Sequence, residues 1–251
     1  MKNKKTILLS GASRGIGLDI ATKLVKNKYN LIVCSRSTSK ELNDIMDQND
    51  SITHYKVDLE SNKSTNEFLN SIQDIEFYGL INNAGYAREG ILATLPEVEI
   101  EKMININLKS SILLSRFFSR NIIKYKTSGR IINISSIISD RGFNGLSVYS
   151  ATKAGLNGLT LSLARELGRT GTTVNAILPG FIETEMSSGL NDKQLNQILR
   201  RTPIGKLAEK SDISSLVEYL LSEDASSITG QLIKIDGGNS VWKKNIFLNT
   251  I

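Results

Sequence analysis

The chain has 251 residues, 40% hydrophobic and 22% charged, with one cysteine and a net charge of +6. That is an ordinary globular composition, in a chain long enough to bury a core without covalent staples. The lone Cys34 excludes an intrachain disulfide and suits a reducing cytoplasm. No apolar run approaches the ~18 residues of a membrane helix. The lysines and arginines form no long basic block, so neither a membrane nor a nucleic-acid partner is expected, and the positive charge favours anionic ligands.

Met1-Lys2-Asn3-Lys4-Lys5 is basic, but the apolar run behind it stops at Gly11, too short for a secretory leader. Thr6–Ser10 therefore reads as a first strand. Ser10-Gly11-Ala12-Ser13-Arg14-Gly15-Ile16-Gly17 follows it and opens a helix over Gly17–Asn27. Glycines at such a turn permit positive φ and close backbone approach, and the helix N-terminus offers free N–H groups to a pyrophosphate. Leu31–Ser35 reads as the second strand, with Cys34 a buried thiol inside it.

An acidic residue at the end of the second strand would bind the ribose 2′-hydroxyl of NAD, whereas an arginine accommodates the 2′-phosphate of NADP. Ser35-Arg36 stands there with no acid, and Arg14 in the glycine loop is a second guanidinium for the same phosphate. The cofactor expected is NADP(H). Lys40–Gln48 then reads as a helix, Thr53–Val57 as a strand, Lys63–Ile72 as a helix and Gly79–Asn82 as a strand. His54, the sole histidine, reads as a strand-surface residue. No cluster at ligand spacing implies a metal.

A long helix is expected over Glu97–Lys124, although Asn105 and Asn107 at its middle are poor helix formers and suggest a polar task. Gly129–Ser135 reads as a strand, Val148–Gly168 as a helix, Thr173–Leu178 as a strand and Leu232–Ile235 as the last strand. Pro179–Lys210 has weak periodicity and no strand signal, and makes a candidate substrate lid over about 180–210. Apolar strands alternating with helices predict a single α/β domain over 1–251, a Rossmann-type doubly wound parallel sheet with helices on both faces.

Tyr149 and Lys153, four residues apart, share one helix face. A neighbouring ammonium, with the cationic nicotinamide ring of the oxidised cofactor, favours the phenolate and makes Tyr149 a competent acid or base. Ser136 ends the strand thirteen residues upstream, where a hydroxyl can hydrogen-bond a substrate oxygen. Ser135 and Ser139 are the alternatives.

The glycine loop, Asn82-Asn83-Ala84-Gly85, Asn107, Ser136, Tyr149, Lys153, Pro179-Gly180-Phe181-Ile182-Glu183-Thr184 and Asp236-Gly237-Gly238 occur in one order between about Lys5 and Asn239. Together they resemble the short-chain dehydrogenase/reductase family. The resemblance implies a catalytic set of Asn107, Ser136, Tyr149 and Lys153. Tyr149 would be the acid/base, Lys153 would lower its pKa and bind the nicotinamide ribose, Ser136 would orient the carbonyl, and Asn107 would hold a water in a proton relay. It also implies a cofactor cleft lined by Gly11, Ser13, Arg14, Ile16, Gly17, Arg36, Asp58, Leu59, Asn83, Ala84, Gly85, Tyr149, Lys153, Pro179, Gly180, Ile182 and Thr184, with Asp58 on the adenine.

The stretch Asn175–Gly238 is most similar to bacterial reductases of 3-oxoacyl groups on acyl-carrier protein. That implies a small-molecule or carrier-linked carbonyl substrate and a homotetramer or homodimer, with Arg130, Arg165 or Arg169 docking an acidic carrier. Other NADP-linked alcohol, sugar or polyketide carbonyls stay open, as does a non-catalytic dinucleotide-binding protein. Tyr86-Ala87-Arg88-Glu89 and the tail over 240–251 depart from the pattern.

Overall fold

A computed structural model of the chain describes residues 4–182 and 192–241. Seven strands form one parallel sheet: β1 (Thr6–Ser10), β2 (Asn30–Ser35), β3 (Ile52–Lys56), β4 (Gly79–Asn82), β5 (Arg130–Ile134), β6 (Thr173–Pro179) and β7 (Leu232–Ile235). Their spatial order is β3-β2-β1-β4-β5-β6-β7. The expected doubly wound sheet is therefore present. The chain winds outward from β1 to β3, then returns to lay β4 on the other flank of β1. This reversal opens a crevice above the carboxyl ends of β1 and β4, where ligands bind in such sheets.

β4, β5 and β6 are buried along their whole length, which is why they read as unbroken apolar runs. Alternate side chains serve opposite faces. Ile7 and Leu9 pack with Ile20, Leu24, Ile213 and Val217, on α1 (Gly15–Lys26) and, later in the chain, a helix over Lys210–Leu221. Leu8 and Leu80 pack with Phe68, Leu114, Phe118 and Leu163 on the other face. Each such fully buried apolar side chain contributes about 1.5–3 kcal/mol.

Between β2 and β6 the chain forms α2 (Lys40–Gln48), α3 (Asn62–Ser71), α4 (Glu97–Ile104), α5 (Ser110–Tyr125), α6 (Ile138–Arg141) and α7 (Ser147–Leu167). Ser39 caps α2 by accepting the Leu42 N–H at 3.1 Å. The single helix expected over Glu97–Lys124 is interrupted by a π turn at Asn105–Lys109.

The expected lid region holds α8 (Asp192–Leu199), and Ile182 bridges to Ala208; residues 183–191, including Thr184, and the tail from 242 lie outside the described residues. The helix over Lys210–Leu221, α9, was not expected. Its signal was a capping box between Glu209 and Asp212 ahead of apolar residues at Ile213, Val217, Leu220 and Leu221. Among the described residues no helix is long and apolar enough to cross a membrane.

Candidate active site

The glycine loop leaves β1 with Gly11 at φ +73° and enters α1 after Gly15 at φ +59°. A Cβ on Gly11 would lie 2.8 Å from the Ala84 backbone, so only glycine lets the two loops touch. A Cβ on Gly17 would strike the Gly11 carbonyl and the Asn83 amide. Asn83 braces the loop: its Nδ2 donates to the Ser10 and Gly11 carbonyls at 3.0 and 2.9 Å, while Ser10 Oγ accepts the Asn83 and Ala84 N–H groups at 3.1 Å each. The Asn83 side chain is thus occupied in holding β1 to β4.

The N-cap of α1, Arg14, makes no side-chain cap bond to the first turn, and the space beside Gly15 is open. Rigid glycines and a helix start without a side-chain cap fit a dinucleotide pyrophosphate.

Arg36 and Asp58 are exposed at the ends of β2 and β3, and Leu59 is buried in the apolar cluster around Leu8 and Leu80. Cys34 is fully buried and its thiol is pushed up to about 12 by burial, as expected of a packing residue. His54 differs from its expected surface role. It is half-buried, burial lowers its pKa, and its Nε2 lies 2.8 Å from Ser35 Oγ.

Three serines follow the end of β5 in different roles. Ser135 is buried and donates to the Lys153 carbonyl at 3.0 Å, fixing α7 to the sheet. Ser139 donates to the Ser136 carbonyl at 2.5 Å and accepts from Asn157 at 2.8 Å. Ser136 Oγ accepts the Ile138 N–H at 3.3 Å and acts on the Tyr149 phenol to lower its pKa.

Tyr149 and Lys153 lie one turn apart on α7, with the ammonium 5.7 Å from the phenol ring centre. Lys153 is 3% exposed and its Nζ donates to the Ile134 carbonyl at 2.7 Å. A Cβ on Gly85 would sit 3.6 Å from that Nζ and 3.8 Å from Asn107 Oδ1.

Burial dominates both pKa values. It pushes Tyr149 up to about 12, with the Ser136 hydroxyl acting the other way, and Lys153 down to about 8. Desolvation is the largest influence on the phenol, and the hydrogen bond of the adjacent cation goes to Ile134. The phenol therefore stays protonated near neutrality.

Asn107, fully buried within the π turn, accepts the Tyr86 N–H at 2.7 Å and donates to the Tyr86 carbonyl at 2.8 Å and Thr152 Oγ1 at 3.1 Å. Its side chain thus pins the segment after Gly85 to α7. The Tyr86 hydroxyl donates to Glu99 at 2.8 Å. A buried ladder unforeseen in the sequence runs from Ser115 through Asn82 and Asn133 to Thr160, tying α5, β4, β5 and α7.

On the far side, Gly180 packs so closely on Asp236 that a Cβ would lie 2.7 Å from it, and its N–H reaches the Ile235 carbonyl at 2.8 Å. Arg130 is not a docking cation: it is 2% exposed and paired with Glu223 at 3.2 Å at the amino-terminal end of β5. Arg165 is exposed in the last turn of α7, about 24 Å of helical rise from Tyr149, and Arg169 is exposed just past the end of that helix.

A family model described as enoyl-(acyl carrier protein) reductase matches residues 11–240. The 3-oxoacyl-acyl-carrier-protein reductase of Vibrio cholerae is 38% identical over 239 residues, covering 93% of this chain and 96% of the relative. That of Rickettsia typhi is 36% identical over 235 residues, with the same coverage. Among solved structures, 4-hydroxyisoleucine dehydrogenase complexed with NADH superposes with a TM-score of 0.92 at 28% identity, covering 96% of this chain and all of the other. A protein described as 2-deoxy-D-gluconate 3-dehydrogenase from Agrobacterium tumefaciens, with bound NADP, gives 0.89 at 29% identity, covering 95% and 97%.

Proposed function

The chain belongs to the short-chain dehydrogenase/reductase family of oxidoreductases, and on that footing we propose that it reduces a 3-oxoacyl thioester on acyl-carrier protein to the 3-hydroxyacyl form with NADPH. The observation that carries the substrate is 38% identity over nearly the full length of both chains to a reductase of that name, against 28–29% to the sugar-acid and amino-acid dehydrogenases. Arg36 and Arg14 beside the glycine loop support NADPH over NADH, because guanidiniums pair with a 2′-phosphate that a carboxylate would repel.

A bound reduced nicotinamide supplies the hydride, and the chain's own groups do the rest. Tyr149, protonated because its phenol is raised, donates its proton to the carbonyl oxygen as the hydride arrives at carbon. Ser136, whose hydroxyl acts on the same phenol, orients that oxygen and shares its developing charge. The tyrosinate left behind is reprotonated from the Lys153 ammonium, whose pKa near 8 makes it a willing donor. Asn107, in the turn where the helix register widens, keeps the route from Lys153 to solvent in place. Residues about 180–210 serve as the substrate lid.

Subunits assemble as homotetramers or homodimers through the long helices, where Val98, Ile104, Ile112 and Leu161 remain exposed.

The test is NADPH consumption with an acetoacetyl thioester beside simple ketones, keto-sugars and keto acids. The thioester is expected to have the highest kcat/KM. Tyr149→Phe is expected to lower turnover by about 10²–10⁴ while still binding NADPH. Preference for a keto-sugar would overturn the substrate, and full activity in Tyr149→Phe would overturn the mechanism.

A further inference from the structure

His54 lies outside every motif that identifies the family, yet it is tied to the end of the strand that presents Arg36. It sits on β3 with Val33 of β2 as its register partner, and its ring reaches diagonally to Ser35 Oγ at 2.8 Å. Ser35 is 7% exposed, and its hydroxyl donates to the Ser37 carbonyl at 2.8 Å. A hydroxyl has one proton to give. With that proton spent on Ser37, Ser35 accepts from His54, which fixes the ring as the Nε2–H form.

The chain of contacts His54 to Ser35 to Ser37 closes around Arg36. The same strand end is clamped from both sides: the Ser35 carbonyl accepts the Val57 N–H at 3.0 Å, and the Cys34 carbonyl accepts the Gly11 N–H at 2.8 Å. The turn bearing Arg36 is therefore locked against both the glycine loop and β3, with His54 supplying its one side-chain brace from β3 among the described residues.

We propose that His54 is a positioning residue for cofactor choice: by its hydrogen bond to Ser35 it holds the Ser35–Ser37 turn in the form that aims Arg36 at the 2′-phosphate of NADPH. The inference rests on the reading of Arg36 as the phosphate ligand. A long exposed arginine discriminates only if its backbone is fixed, since otherwise the ordering cost of its side chain falls on binding. His54 touches neither the ribose face nor the reacting atoms in this scheme, so it acts on NADPH affinity and not on turnover.

The experiment is direct titration of NADPH and NADH by cofactor fluorescence, in wild type, His54→Phe, Ser35→Ala, the double variant and His54→Gln. Wild type is expected to hold NADPH more tightly than NADH. His54→Phe and Ser35→Ala should each weaken NADPH about fivefold, the size of one lost hydrogen bond, and leave NADH unchanged. The double variant should be no weaker than the worse single one, because both break the same link. His54→Gln, which restores an N–H donor, should recover part of the loss.

Equal weakening of NADPH and NADH, or additive effects in the double variant, would reduce His54 to an ordinary packing residue and overturn the proposal. Equal affinities for the two cofactors in wild type would instead overturn the reading of Arg36, and this inference with it. If His54→Phe fails to fold, Ser35→Ala alone carries the same comparison.

Discussion

Lys153 sets a measurable pH dependence of stability. Its ammonium is 3% exposed, and burial lowers its pKa from 10.5 to about 8. At about 1.4 kcal/mol per unit, holding this charge at neutral pH costs the fold about 3 kcal/mol. The folded pKa lies below the unfolded one, so across this window the unfolded chain binds more protons and stability rises with pH. About 2 kcal/mol should return between pH 7 and pH 10. Above about 10 the trend reverses, because the folded protein retains the Tyr149 proton up to about 12 while the unfolded phenol ionises. The perturbation is Lys153→Met, which keeps the volume and removes the titration. Urea unfolding of both proteins at pH 7, 8, 9 and 10 isolates the effect, since every other lysine titrates alike in the two. The wild-type stability should climb relative to the variant by about 2 kcal/mol. Parallel stability profiles would mean that the ammonium is solvated in the folded state, and would refute both its burial and its role as a proton donor tuned by desolvation.

Gly17→Ala should weaken NADPH binding at least about tenfold and cost about 1–3 kcal/mol, because the new methyl meets the Gly11 carbonyl and the Asn83 amide; fluorescence titration and urea unfolding check both, and wild-type affinity would refute it. Glu223→Ala should cost about 1–3 kcal/mol in urea unfolding by stranding the guanidinium of Arg130, which is 2% exposed. The hydrogen bond from Lys5 holds the Glu223 carboxyl below its usual range, against opposing desolvation, so its contribution is present at neutral pH and lost on acidification. The variant should therefore lose less stability than wild type between pH 7 and pH 4, and an equal loss would refute the pairing.

The central strands were legible because burial on both sheet faces demands unbroken apolar runs, as at Gly79–Asn82, which matches its expected bounds; the less buried edge strand Leu232–Ile235 matches its bounds too. Lys40–Gln48 was equally plain, bounded by a serine cap. The helix at Lys210–Leu221 was readable in principle from its capping box, but it follows an aperiodic stretch that masks its start. The π turn was not readable as such: paired asparagines signal a polar task, while the widened register coincides with Asn107 binding a backbone 21 residues away.

From composition, period and motif spacing alone came the parallel sheet and the shared helix face of Tyr149 and Lys153. Those depend on local rules: alternation along a strand, 3.6 residues per helical turn and the freedom of glycine at tight turns. Three-dimensional packing alone decided where each polar group is spent. It turned Lys153 toward Ile134, engaged Asn83 on the glycine loop, buried Arg130 against Glu223 and brought His54 to Ser35. The cost of burying a charge or leaving a donor unpaired depends on neighbours distant in sequence, and spacing along the chain carries no record of them.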